Sequence, residues 1–260
     1  MCSLNRLSIW RRQLCIWGNT LTVATFDRFL YLILHRLAWM GRHDRVFLEQ
    51  RIRPGMRVVD IGANIGLYTL LLSRLVGKCG TVTAIEPDPC NFELLKTNCA
   101  FNSVTNVVLH HAAAGASHGS MRLYRSLVHS GDSRMVFQQP SRLRQSVEVE
   151  VRTIDELVAG QRVDFIKVDV QGWEGEVFKG MKEIFARNPG LQISFEYWPF
   201  GLRAAGCDPI GLLTTLEELG FRIYPESTQA RVAITDFASI SACTGDGYTK
   251  FTNLLAVREP

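Results

Sequence analysis

No C-x-x-C pair occurs among the seven cysteines, at positions 2, 15, 79, 90, 99, 207 and 243. The count is odd, and only His110 and His111 lie together among the six histidines, so no zinc-ligand spacing emerges. Reduced thiols in a cytosolic protein are the plain reading. Long apolar runs are missing too. The most apolar early stretch, Leu14–Phe26 followed by Phe29–Leu34, is interrupted by Asp27, Arg28 and then Arg36. It falls short of the roughly 18 uncharged residues that a membrane span needs. No small-residue cleavage site follows a compact apolar core, which argues against a signal peptide. No internal repeat or low-complexity tract stands out.

Charge imbalance is slight outside the beginning of the chain. The net charge of +4 on 260 residues does not imply a nucleic-acid partner. Residues 1–53 carry nine Arg against Asp27, Asp44 and Glu49, a balance of +6, which leaves −2 for the rest. The basic character therefore belongs to an N-terminal extension. An amphipathic helix is expected at about 23–40, able to pack on the domain or to touch an anionic membrane or a partner. The simplest partition is a helical arm over 1–45 and one domain over 46–260. Hydrophobic residues make up 47% of the chain, enough to bury a sizeable core.

From residue 54 the pattern becomes regular. Arg57–Ile61 reads as a buried strand, and Leu67–Val76 as a helix stopped by Gly77. Thr81–Ile85 is a second strand, and Asp88-Pro89 opens a helix with an N-cap and a proline at its first position. Asn106–His110 follows as a third strand. Met121–Tyr124 and Val147–Val151 are short strands, and Thr153 with Glu156 has capping-box spacing. Phe165–Val170 is a fourth core strand, Trp173–Arg187 a helix, and Leu191–Glu196 a fifth strand. Asp208-Pro209 opens another helix, with Phe221–Tyr224 and Asn253–Val257 as closing strands. Alternating strands and helices predict an α/β fold with a mostly parallel sheet covered on both faces.

The chemistry concentrates at strand ends. Gly62-Ala63-Asn64-Ile65-Gly66 is a glycine loop leaving the first strand, where a ligand can approach the backbone closely. It is not the six-residue dinucleotide fingerprint, because Asn64 stands where a second glycine would fall, although Asn tolerates left-handed backbone. Asp60 before the loop has no evident use beside a pyrophosphate but suits the ammonium of an amino-acid ligand. That contrast favours S-adenosylmethionine over NAD. Glu86 ends the second strand, where a carboxylate can accept hydrogen bonds from both ribose hydroxyls.

With these residues in hand, the run Val58–Gly66, the segment Ala84–Pro89, Asn106–Leu109 and the run Phe165–Glu174 together resemble the FkbM family of methyltransferases over roughly 54–257. The resemblance implies a Rossmann-like class I methyltransferase fold with a seven-stranded sheet. It also implies methyl transfer from S-adenosylmethionine to an oxygen, often on a sugar or a natural-product hydroxyl. By position, Asp60, Gly62, Asn64 and Gly66, with Ala63 in the same loop, would hold the methionine part. Glu86 would bind ribose, Pro87 and Asp88 would line the adenosine pocket, and Ala112 and Ala113 would lie near the adenine. Asp169 would face the methyl group. The chain departs from the family pattern at Gln171, where an acid is more usual, and at Trp173; no metal is indicated, though a divalent ion is not excluded.

A proton must leave the acceptor hydroxyl, and Asp169, His129, Glu174 and Glu196 are the candidates to take it. Asp169 ranks first for its place at the carboxyl end of a parallel strand, and His129 second for its intrinsic pKa. Tyr197, Trp198, Phe200 and Trp173 could stack on an acceptor ring or simply pack in the core. Two other readings compete: an NAD-binding oxidoreductase, and a non-catalytic module that binds S-adenosylmethionine. The expected partner is a small-molecule or glycan acceptor.

Overall fold

The computed structural model describes residues 11–24, 42–126, 133–135, 144–226, 232–244 and 250–258. The chain opens with a hairpin, β1 (Arg11–Ile16) and β2 (Asn19–Ala24). Its two-residue turn, Trp17-Gly18, has φ of 52° and 80°, the left-handed pair that matches strand twist in a tight hairpin. Where a helical arm was expected, alternation of Thr20 and Thr22 with the buried Leu21 and Val23 makes a strand instead. The amphipathic helix expected at about 23–40 lies almost wholly outside the described residues. The arm–domain boundary expected at residue 45 falls inside α1 (Arg42–Arg51), whose Phe47 and Leu48 share one core cluster with Leu21 and Val23.

Beyond it run β3 (Arg57–Ile61), α2 (Leu67–Val76), β4 (Thr81–Ile85), α3 (Pro89–Phe101) and β5 (Val107–His110), close to the spans predicted. The Asp88 carboxylate caps α3, accepting from the Cys90 and Asn91 amides. A small sheet follows, ordered β6 (Ala113–Ala114), β8 (Arg144–Arg152), β7 (Gly119–Ser126). Then come α4 (Ile154–Val158), with the expected Thr153–Glu156 capping box, and β9 (Phe165–Val168).

The single helix predicted over 173–187 is two, α5 (Glu174–Lys179) and α6 (Lys182–Arg187). Gly180 passes so near Gly115 that a β-carbon on it would sit 2.1 Å from the Gly115 carbonyl oxygen. The Asp155 carboxylate then accepts the amides of Glu183 and Ile184, both at 2.9 Å, which starts a new helix. The chain finishes with β10 (Gln192–Tyr197), α7 (Pro199–Ala204), α8 (Pro209–Glu218), β11 (Phe221–Pro225), α9 (Phe237–Thr244) and β12 (Thr252–Arg258).

The main sheet has seven strands, in the order β11-β12-β10-β9-β3-β4-β5, and β12 runs antiparallel to both its neighbours. One face buries Val59, Ile61, Ile166 and Phe195 against α5, α6 and α8. The other buries Val58, Val82 and Phe165 against α2, α3 and the hairpin. From β3 the chain winds one way to β4 and β5, then crosses back to β9 on the other side. The switch point between β3 and β9 is where a parallel sheet opens a crevice at its carboxyl edge. No helix among the described residues is long and apolar enough to cross a membrane.

Asn98 joins the hairpin to the body. Its side chain accepts the Thr22 amide at 2.7 Å and donates to the carbonyls of Thr22 and Ile65, at 3.2 and 2.8 Å. One helical turn on, Asn102 makes the same pair of bonds to Thr20. Two amides at i and i+4 thus act as a neighbouring strand for β2. Asn98→Leu leaves buried backbone groups unpaired, a cost of about 2–4 kcal/mol. We expect its melting temperature to fall by about 5–10 °C, read by calorimetry; an unchanged value would mean the hairpin is held without Asn98.

Candidate active site

The loop after β3 is shaped by contacts that exclude side chains. Gly62 has φ 81°, and a β-carbon there would lie 1.9 Å from the carbonyl oxygen of Asp169. Gly66 has φ 95° and leads directly into α2, and a β-carbon on it would strike Leu95 at 2.7 Å. Asn64 takes the left-handed conformation anticipated for it, φ 52°, and its side chain accepts the Ile65 amide at 2.7 Å. The Gly62 and Ala63 amides both donate to Ile85 at the end of β4. The loop is therefore clamped between β4 and β9.

Asp60 lies beneath it, fully buried. Thr69 donates to its Oδ2 at 2.6 Å, while Oδ1 has no partner. Burial raises the Asp60 pKa, against the pull of the Lys167 ammonium. A buried carboxylate oxygen without a donor is costly unless a ligand or water supplies one. Glu86, also buried, accepts the Asn64 amide on Oε2 at 2.8 Å and the Asp88 amide on Oε1 at 2.9 Å. Burial, helped by the nearby Asp88 charge, pushes it up to about 8. The Asn91 side chain bonds to it as well, so of about four acceptor positions on the carboxylate about one is left for a hydroxyl donor.

The second wall follows β9. The Asp169 amide donates to the Ile61 carbonyl at 3.0 Å, extending the sheet by one bond. Its Oδ2 faces the Lys167 ammonium at 3.3 Å, and its Oδ1 accepts from the Gln171 amide at 2.9 Å. The same Gln171 nitrogen reaches Glu196 Oε2 at 3.2 Å, so one amide group bridges two carboxylates. Gln171 does so in left-handed backbone, φ 55°, followed by Gly172 at 96°. A β-carbon at Gly172 would lie 2.6 Å from the Gly201 backbone, so α7 closes on this turn. Burial first, then the charges of Asp169 and Glu174, hold Glu196 well above the carboxylate range, while Lys167 and Arg134 oppose them.

Of the other expected residues, Glu174 is fully buried, with Oε1 accepting the amides of Val170 and Gly172, both at 3.3 Å. Burial lifts it to about 7, but its bonds make it the staple of the turn. The carboxylate of Asp88 is spent on capping α3 and on an ion pair with Arg125. Pro87 offers its carbonyl to the His111 ring at 3.2 Å, and that ring stacks on Phe92. Ala112 and Ala113 are buried, the latter paired with Val151 in β8. His129 lies outside the described residues. Tyr197 is a core residue, whereas Trp173 and Trp198 line a recess with Arg134, Met135 and Gln171. The Arg134 guanidinium sits 4.5 Å over the Trp198 ring.

Sequence reading passed over Tyr68. Its ring lies 4.4 Å from the Lys167 ammonium, and its hydroxyl donates to Asp44 of α1 at 2.7 Å. Lys167 pairs with Asp169. Burial works against its charge, but Asp169 and Asp60 outweigh burial and raise its pKa.

The methyltransferase FkbM domain matches residues 60–223. Methyltransferase sdnD of Sordaria araneosa is 25% identical over 264 aligned positions, covering 86% of this chain and 97% of that protein. The hexuronic acid methyltransferase AglP of Haloferax volcanii is 30% identical over 148 positions, 54% of this chain and 56% of that protein. Among solved structures, the O-methyltransferase TomG of Streptomyces achromogenes, in complex with SAM, aligns over 86% of this chain and 81% of its own. Its TM-score is 0.48 at 13% identity. The matched span takes in the glycine loop, Glu86 and the whole Asp169–Glu174 turn, and with it the chain belongs to the FkbM family of S-adenosylmethionine-dependent methyltransferases.

Proposed function

We propose that the enzyme methylates a hydroxyl oxygen of a sugar, glycolipid or small natural product, with Asp169 as the proton acceptor. The observation that carries this is the position of the Asp169 carboxylate. It stands at the switch point beside the glycine loop, held on one oxygen by Lys167 and on the other by Gln171. S-adenosylmethionine supplies a methyl group already activated by a positively charged sulfur. The chain's own residues have to orient the acceptor, keep water out and take up the hydroxyl proton.

The residues suit the cofactor. The unpartnered Oδ1 of Asp60 fits an ammonium donor, directly or through water. Gly62 and Gly66 bring bare backbone to the crevice, and Glu86 retains acceptor capacity for a ribose hydroxyl. Glu196, raised in pKa by burial, is tied to Asp169 through Gln171, so the two carboxyl groups share one donor. Trp173, half-buried, stands beside that pair, and the sugar-acid acceptor in the name of AglP favours a sugar as the acceptor.

Two outcomes follow. With labelled S-adenosylmethionine and a panel of methyl glycosides of neutral hexoses and hexuronic acids, Asp169→Asn should slow transfer by about 10²–10⁴-fold. S-adenosylhomocysteine binding should survive, and undiminished transfer would remove Asp169 as the base. The second outcome concerns pH. The Glu86 carboxyl, raised to about 8 in the unliganded fold, gives a contribution to stability that is complete below its ordinary value of 4.5. That contribution is lost as pH rises through about 8. Ribose hydroxyls donate to the ionised form, so binding drives a proton off. Calorimetric affinity for S-adenosylhomocysteine should therefore weaken by up to about tenfold per unit as pH falls below 8. Glu86→Gln should flatten the profile, and a flat wild-type profile would contradict ribose binding by Glu86.

A further inference from the structure

A cavity of about 620 Å³ opens between α5, α6 and α8, on the helical layer away from the crevice where Asp60 and Glu86 lie. Its walls are apolar: Phe178, Phe185, Leu212, Leu216 and Leu219. It exists because the helix breaks at Gly180. A continuous helix would carry its side chains on past Lys179, whereas α6 starts afresh at Lys182. The break leaves Lys179 and Lys182 together on the rim, both exposed, with Arg258 on the same wall. Lys179 meets Glu176 at 2.6 Å, and Arg258 donates to the Phe185 carbonyl. The one acid lining the cavity, Asp208, is occupied in capping α8 through the Ile210 and Gly211 amides. Three cations thus border the apolar trough, Lys179 paired with Glu176 and Arg258 bonded to a carbonyl, and the acid in its lining is engaged in the cap. At the inner end stand Gly175 and Cys207, and a β-carbon at Gly175 would meet the Cys207 sulfur at 2.6 Å.

Volume, apolar walls and a few cationic groups at one edge are the marks of a small-molecule site. We propose that this cleft binds a single-chain amphiphile, its aliphatic chain lying between α5–α6 and α8 and its anionic head group at Lys179 and Lys182. A neutral chain would gain the burial but leave the ammonium groups unused. A short polyanion would gain the charges but leave the trough empty. The proposal does not depend on the acceptor or on Asp169, and its readout is binding rather than methyl transfer.

The test is a fluorescence titration of the full chain with cis-parinaric acid, below its critical micelle concentration. Laurate, dodecyl phosphate and dodecanol then serve as competitors. Saturation at about one probe per chain is expected for a single site. Lys179→Glu with Lys182→Glu should weaken the probe about tenfold, the equivalent of about 1.4 kcal/mol. Ala186→Trp, an exposed position at the mouth, should weaken it by steric filling. S-adenosylhomocysteine affinity should be unchanged in both variants, since none of these residues belongs to the crevice. Laurate competing better than dodecyl phosphate identifies a carboxylate head, and the reverse order a phosphate head; either supports the site. Absence of saturable binding, binding unmoved by both variants, or dodecanol competing as well as laurate would each overturn the proposal.

Discussion

The site depends on a close approach between two backbones. Gly62, leaving β3, runs so near Asp169, leaving β9, that no side chain fits between them. The Asp169 amide closes the gap with a bond to Ile61. Parallel strands normally part at their carboxyl ends when the chain winds away on opposite sides. Here they part only after this last bond. The glycine loop and the Asp169 turn therefore share one floor. Either could move only by dislodging the other, and the clamp from Ile85 through the Gly62 and Ala63 amides adds a third edge.

Around that floor the buried side chains are mostly acids. Asp60, Glu86, Glu174 and Glu196 are all shifted upward, chiefly by burial. Lys167 is the buried cation among them, reaching Asp169 while its ammonium rests on the Tyr68 ring. Burying several carboxylates is unfavourable unless donors meet them. Much of the local architecture answers that demand: Thr69 for Asp60, backbone amides for Glu86 and Glu174, and the Gln171 amide for Asp169 and Glu196. Two carboxylate oxygens of this group are left without a donor, Oδ1 of Asp60 and Oε2 of Glu174, and the one on Asp60 lies beneath the glycine loop.

The N-terminal segment is part of this arrangement. Through Asn98 the hairpin is bonded to the Ile65 carbonyl, and through Tyr68 the helix α1 is bonded to the residue that carries Lys167. An extension that looks separable by charge is thus continuous with the glycine loop by hydrogen bonding. Its strands were missed because Leu14–Phe26 reads as an apolar run, and periodicity alone does not separate a short strand from a short helix in such a run.

From residue 54 onward the core strands and the helices between them are legible in the residues themselves, apart from β6, α7, α9 and the break at Gly180, and so are the caps at Asp88, Thr153 and Asp208 and the strand-end acids Asp60, Glu86 and Asp169. These depend on local rules: a glycine or a proline constrains its own backbone, an N-cap reaches two or three residues, and a strand ends where its apolar run stops. Tertiary structure decided what those acids face. Gln171 could be seen as a departure from the family, but its bridge to Glu196 spans 25 residues and depends on β9 and β10 lying side by side. The break at Gly180 depends on Gly115, the hairpin on Asn98, and the partner of Lys167 on Tyr68. Each of those contacts joins segments far apart in the chain, and a contact between distant segments exists only once the sheet has brought them together.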